Sequence, residues 1–280
     1  RSTLFPYTTL FRSDSVMRYA ISVQYVGKNY SGSQIQLEGG KPIDAPTIQG
    51  ELEKALCTLI LGKRYTEQNS ENASQYNRPI RAIFSGRTDK GVNALAQVVH
   101  FDTDETIVAS KFLYSINEIL PDDISVSEIK EVDDSFHAQK TAKKRHYRFE
   151  FINRRCKNAF DGDLLRVKFK TDVERMQKSL NYLLGEHDFS SFKSSGTLNP
   201  SKICTIYEAT VSKVGDKVSI DIIGNRFLYN MVRTIVGTLL EIEGHNLAPE
   251  HMKEVLEAKD RTKAGMTVSP YGLTLMKVMY

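Results

Sequence analysis

One short run combines a carboxylate, two cations and two glycines, and it holds the strongest candidates for chemistry. The run SGRTDKG holds Asp89 between Gly86 and Gly91. Because glycine adopts backbone angles that other residues resist, we expect a tight loop. Arg87 and Lys90 lie within two residues of the acid, and a nearby cation lowers a carboxyl pKa, which suits a nucleophile or a base. An aspartate in such a turn can equally serve the turn, by bonding the local backbone.

The most basic segment, residues 140–157, is a second candidate. It holds eight Lys or Arg residues against a single acid. Aromatic residues, Tyr147 among them, alternate with the cations, which favours RNA, since cations bind phosphates while rings stack on bases. By pattern alone, such a cluster is more often a solvated strand end, and a strand tyrosine is more often core. The candidate RNA-backbone contacts are Lys143, Lys144 and Arg145.

A third segment, residues 226–237, is predicted to lie in a helix. Its apolar residues recur at helical spacing and form one face. Arg233 lies off that face, which by itself indicates a surface cation.

The elements that must position these residues follow the same order twice. Alternating apolar residues predict strands, and apolar residues three or four apart predict helices. Each half reads β-α-β-β-α-β, with one extra helix in the second. The predicted strands cover residues 18–25, 82–84, 95–102, 124–130, 146–152, 203–212, 218–223 and 273–280, and the predicted helices cover 47–59, 109–120, 173–184, 227–243 and 249–258.

This order predicts an α+β fold. We expect two ferredoxin-like (β-α-β-β-α-β) units, whose antiparallel sheets lie side by side with a central RNA-binding cleft. Modules of this topology stack RNA bases on the sheet face that the helices leave open. We predict an N-terminal domain with the catalytic loop at residues 17–138 and a C-terminal domain at 139–280. Residues 1–16 show no clear period and resemble translated sequencing-adaptor sequence, so we expect a non-native leader.

The composition is ordinary for a globular protein. Of 280 residues, 40% are hydrophobic and 26% are charged, with a net charge of +4. No apolar run approaches the length that spans a membrane. The three cysteines lack C-x-x-C spacing and the histidines lack H-x-x-x-H spacing, so we predict neither a disulfide framework nor a metal site. This cysteine usage also predicts that the protein resides in a reducing cytoplasm.

The residues around the acid also carry a family resemblance. The run FSGRTDKGVNALAQVVHFD resembles the GRTD-AGVHA-GQV-HF signature of the tRNA pseudouridine synthase A family. The resemblance implies that Asp89 is the catalytic nucleophile. Tyr147, downstream of an FHA motif, corresponds to the family's substrate-contacting tyrosine. Arg233, in RFLYNMVRTIVG, corresponds to the arginine that pairs with the catalytic acid, and Arg87 is expected to help position RNA.

Weaker matches extend the resemblance over nearly all of residues 17–280, with some departures. The family usually has Trp where Ser33 stands, and we expect the loss of a ring from a substrate-side loop to shift RNA specificity. Lys90 adjoins the acid and replaces a small residue. The remaining departures are Val26, Asn93 and Ala96.

The resemblance implies a cofactor-free isomerase that converts uridine to pseudouridine at positions 38, 39 and 40 of the tRNA anticodon stem-loop. It also implies a cytoplasmic homodimer that spans one tRNA. The alternatives are a pseudouridine synthase with another RNA target and a non-catalytic RNA-binding module on the same fold. A carboxylate-dependent glycoside hydrolase would need a second acid opposite Asp89, and no second acid has a matching signature.

Overall fold

The computed structural model describes residues 16–38, 41–43, 45–62, 78–196 and 201–280. Nearly all of the predicted leader and the predicted loop over residues 65–77 therefore lie outside the described residues. Within the described ranges, no helix is both long and apolar enough to cross a membrane.

The first half of the chain forms the predicted strands and two helices. Helix α1 begins after Thr47, whose side-chain oxygen accepts a hydrogen bond from the Gly50 N–H at 3.0 Å and so caps the helix. Its buried residues recur at helical spacing and pack towards the sheet. The elements are β1 (Met17–Tyr25), β2 (Leu37–Glu38), β3 (Lys41–Pro42), α1 (Ile48–Leu61), β4 (Ile83–Phe84), β5 (Asn93–Thr103), α2 (Ala109–Ile119) and β6 (Ile124–Val132).

The second half departs from the prediction at two helix ends. Helix α3 ends at Asn181, and Gly185, predicted to follow the helix directly, begins a strand. Helix α4 begins at Met231 because Asn230 has a left-handed backbone (φ 61°), which a helix cannot continue through. The elements are β7 (Lys144–Asn153), β8 (Leu165–Val167), α3 (Val173–Asn181), β9 (Gly185–Asp188), β10 (Ile203–Val214), β11 (Lys217–Gly224), α4 (Met231–Gly244), α5 (His251–Ala258) and β12 (Leu273–Met279).

Apart from β2 and β3, which pair with each other, the strands of both halves join in one large, mostly antiparallel sheet. Its order is β6-β1-β5-β12-β7-β11-β10-β9, with β4 paired to β5 and β8 paired to β7. The halves meet where β12 pairs in parallel with β5, through Thr274 with Asn93 and Leu275 with Ala94. The predicted α+β class is confirmed, but the two predicted sheets are continuous, because their facing edge strands satisfy each other's backbone groups.

Two hydrophobic clusters pack against this sheet. One gathers residues of the first half with Leu275 and Val278, and the other gathers residues of the second half with Val92. Tyr147 on β7 is half-buried and packs against both clusters. The seam between the two clusters therefore lies on the face of the sheet that carries both cores.

Candidate active site

The loop after β4 carries Asp89, and Gly91 determines its backbone conformation. Ser85 and Thr88 are buried, and Asp89 is half-buried. Gly91 has a φ of +84°, and a Cβ on it would lie 2.9 Å from the Pro270 ring. Only glycine combines this backbone angle with so close an approach, so the loop turns where the sequence predicts.

Polar side chains of β1 and β5 form hydrogen bonds that fix the loop. The Tyr25 hydroxyl lies 2.7 Å from the Thr88 hydroxyl. Gln97 on β5 donates to the Gly86 carbonyl at 3.0 Å and to the Tyr25 hydroxyl at 3.2 Å. Gln97 is fully buried and was not among the predicted site residues, although an amide between apolar residues of a strand is a usable signal.

Asp89 faces a cavity of about 360 Å³ at the seam between the two clusters. Tyr147, Leu273 and Leu275 line this cavity, and the same residues contact the hydrophobic clusters. The cavity therefore opens on the core-bearing face of the sheet. The gap between the two cores creates this cavity.

Burial has the largest effect on the pKa of the candidate nucleophile. Burial raises the pKa of Asp89, while Arg233 and then Arg87 act in the opposite direction. The sequence predicted a lowered pKa from the neighbouring cations. That direction is wrong, because the cavity wall removes water from the carboxylate and this outweighs both arginines. Lys90 is exposed.

Arg233 lies in the first turn of α4 and lines the cavity, but it does not touch Asp89. Its Nε donates to the Val268 carbonyl at 2.8 Å and its Nη1 donates to Asn230 Oδ1 at 2.8 Å. Among the described residues, no ion pair within 4.0 Å joins Arg233 to Asp89. The two groups interact through space, and burial lowers the pKa of Arg233 while Asp89 raises it.

Tyr147 and Phe227 form an aromatic wall of the cavity. Their ring centroids are 5.2 Å apart at 83°, an edge-to-face contact. Burial raises the pKa of the Tyr147 hydroxyl, with Tyr25 and Asp89 adding to the rise, so the hydroxyl stays protonated. Phe227 was predicted only as part of a helical face, and the loop before α4 turns its ring into the cavity instead.

The side chains of the basic segment lie in two different environments. Arg145 lines the cavity and donates to four carbonyls, those of Ala142, Asn225, Ser85 and Gln139. Lys144 lies on the opposite face of β7, where its Nζ is 4.4 Å from the centre of the Tyr207 ring. Lys143 is exposed. The structure thus gathers Asp89, Arg87, Arg233, Tyr147 and Arg145 around one cavity and leaves Lys143 and Lys144 outside it.

Two of the departures from the family pattern face inward. Ser33, on the loop predicted to face the substrate, is fully buried and accepts a hydrogen bond from the Thr88 N–H. Asn93 accepts a hydrogen bond from the Gly27 N–H at 2.9 Å and donates to the Tyr271 carbonyl at 3.3 Å. Among the residues that the structure describes, no group of three or more His, Cys, Asp or Glu side chains is arranged to hold a metal ion.

Comparison with known proteins gives consistent matches over the chain. A family model described as tRNA pseudouridine synthase matches residues 180–280. A tRNA pseudouridine synthase A of Thermoanaerobacter sp. (strain X514) is 40% identical over 265 residues, which cover 93% of this chain and 98% of the relative. Its namesake in Brevibacillus brevis is 40% identical, covering 91% and 96%, and that in Bacillus subtilis is 38% identical, covering 94% and 99%.

Proposed function

The chain belongs to the tRNA pseudouridine synthase A family, and from this premise we propose that Asp89 is the nucleophile that isomerises uridine to pseudouridine in tRNA. As a member of this family the protein is an isomerase. The observation that carries the assignment of Asp89 is its place: a half-buried carboxylate on a glycine-bounded loop, facing a cavity that also contains Tyr147 and Arg233.

The reaction rearranges bonds within one nucleotide. The bond from ribose C1′ to uracil N1 breaks, a bond from C1′ to C5 forms, C5 loses its proton and N1 gains one. No atom or electron is gained or lost overall, so the reaction needs no redox cofactor. Asp89 forms a transient covalent bond to the ribose or to the pyrimidine ring, which holds the two parts together while the base rotates.

The cavity suits one nucleotide taken out of a helix. Its volume of about 360 Å³ is at the small end of ligand pockets. A uridine inside a stem cannot reach a buried carboxylate, so we propose that it flips into the cavity. There Tyr147 packs against the base, Arg87 helps to position the RNA, and Arg233 acts on the carboxylate through space.

From the family resemblance we also propose which uridines are modified and how the protein assembles. The targets are the uridines at positions 38, 39 and 40 of the anticodon stem-loop, and the enzyme is a cytoplasmic homodimer. We propose two ferredoxin-like domains, at residues 17–138 and 139–280. Their support is the strand order, β6-β1-β5-β4 in one half and β12-β7-β11-β10 in the other, which places the first strand between the fourth and the third in each.

Tritium release tests the assignment of Asp89. Bulk tRNA carrying tritium at uridine C5 loses the label when C5 becomes bonded to ribose. Asp89→Asn should abolish release and leave tRNA binding largely intact, whereas Asp104→Asn, at an exposed aspartate outside the cavity, should release tritium at the native rate. Near-normal release by Asp89→Asn would refute the mechanism. If the native protein binds tRNA without any release, the function is that of a binding module or of a synthase with another RNA target.

A further inference from the structure

We propose that Ser33 is a positioning residue that holds the catalytic loop through the peptide group next to Asp89. This inference rests on the proposed function, since it concerns the placement of the proposed nucleophile. Ser33 lies 55 residues before Thr88 in the chain and belongs to a different loop. Its role is visible only in the folded protein.

The contact between the two residues is reciprocal. The Thr88 N–H donates to the Ser33 hydroxyl at 2.8 Å, and the Ser33 N–H donates to the Thr88 carbonyl at 3.0 Å. The Ser33 hydroxyl also reaches the Thr88 carbonyl at 3.4 Å. Ser33 is 0% exposed and Thr88 is 3% exposed, so no water competes for these groups. Both backbone polar groups of Thr88 are therefore fixed by one residue.

The backbone of Ser33 also forms a hydrogen bond with the start of helix α1. The first N–H groups of a helix have no partner within the helix. Here the Ile48 N–H donates to the Gly32 carbonyl at 3.3 Å, and the Gln49 N–H donates to the Ser33 carbonyl at 2.8 Å. The hydrogen bonds thus run from the start of α1 through Ser33 to Thr88, whose neighbour is Asp89.

Gly32 allows the two loops to come this close. Its φ is +114°, and a Cβ on it would lie 3.1 Å from the Thr88 carbonyl oxygen. Ser33 is itself fully buried, and its polar groups bond to Thr88 and to the start of α1. The small hydroxyl residue at this position is therefore matched to the local packing, and we infer that it sets the position of the carboxylate and not the choice of RNA.

A matched control exists in the other half of the chain. Ser191 is also 0% exposed, and its hydroxyl also accepts from a backbone N–H, that of Asp260 at 2.9 Å, and donates to a carbonyl, that of Val255 at 2.6 Å. It does not line the cavity. Ser191→Ala therefore removes the same kind of buried hydrogen bonds without touching the loop of Asp89.

The experiment compares four variants in steady-state tritium release and in thermal unfolding. Ser33→Ala and Ser191→Ala should lose similar Tm. Ser33→Ala should lose kcat by about tenfold or more, because a displaced nucleophile misses its attack geometry, whereas Ser191→Ala should keep the native kcat. Its KM for tRNA should stay within about twofold of native, since binding groups are untouched. Ser33→Cys, nearly the same size but a poor acceptor, should also lose kcat.

The outcomes separate this inference from the proposed function. If Asp89→Asn is inactive while Ser33→Ala and Ser33→Cys turn over at the rate of Ser191→Ala, the function stands and the role of Ser33 is refuted. If Asp89→Asn is active, both are refuted. A raised KM with unchanged kcat in Ser33→Ala would assign the residue to RNA binding and would also overturn the inference.

Discussion

A substitution at Arg145 tests whether this residue binds RNA, as the sequence pattern predicts, or stabilises the fold, as its contacts in the structure indicate. The sequence predicts it as an RNA-backbone contact, whereas in the structure it donates to four carbonyls. The bonds to Asn225 at 2.7 Å, Ala142 at 3.1 Å and Ser85 at 3.2 Å are part-buried. They tie β7 to the start of the catalytic loop and to the loop before α4. Arg145→Met removes them and keeps most of the apolar stem.

The expected loss of stability follows from these three bonds. A hydrogen bond from a charged donor contributes about 1.5 kcal/mol at the low end, so the three part-buried bonds amount to roughly 4.5 kcal/mol. For a chain of this size, that loss lowers Tm by about 8 °C. Thermal unfolding, followed by circular dichroism, measures it.

Lys143→Ala is the contrasting variant. Lys143 is exposed, so its loss should leave Tm unchanged. If it binds a phosphate, the slope of log K against log salt for tRNA binding should fall by about one unit. An Arg145→Met protein with native Tm and a salt slope reduced by about one would refute the structural role of Arg145 and restore the prediction from sequence.

Three further predictions concern buried charge. Because Arg233 opposes the burial that raises the pKa of Asp89, Arg233→Gln should move the acid limb of the pH–rate profile to higher pH. Because burial disfavours ionised Asp89 in the folded state, Asp89→Asn should raise Tm at pH 7. Unfolding scans should show this gain shrink as pH falls through the raised pKa of Asp89 and disappear below the usual aspartate pKa. Arg175→Met should cost about 3 kcal/mol in denaturant unfolding, because it leaves the buried Glu243 carboxylate without its ion pair, and adding Glu243→Leu should recover part of the loss.

The local elements and the catalytic loop could be read from the sequence because they depend on neighbours along the chain. The alternation in β1 and the helical spacing in α2 are properties of a few successive residues, and the structure places both elements within one or two residues of the prediction. The turn at Gly91 is likewise a local requirement, since the backbone angle needs glycine. The position of Asp89 on a tight loop was therefore determined by sequence alone.

The surroundings of that loop were decided only by tertiary structure. The direction of the Asp89 pKa depends on how much water the second half of the chain excludes, and cations adjacent in sequence do not report this. The partner of Ser33 lies 55 residues away, and Arg145 bonds to Asn225, 80 residues away. The joining of the sheets through β5 and β12, and hence the face on which the cavity opens, depends on pairing between strands far apart in the chain. Such contacts arise from burial and backbone pairing across the whole fold, which residue spacing does not encode.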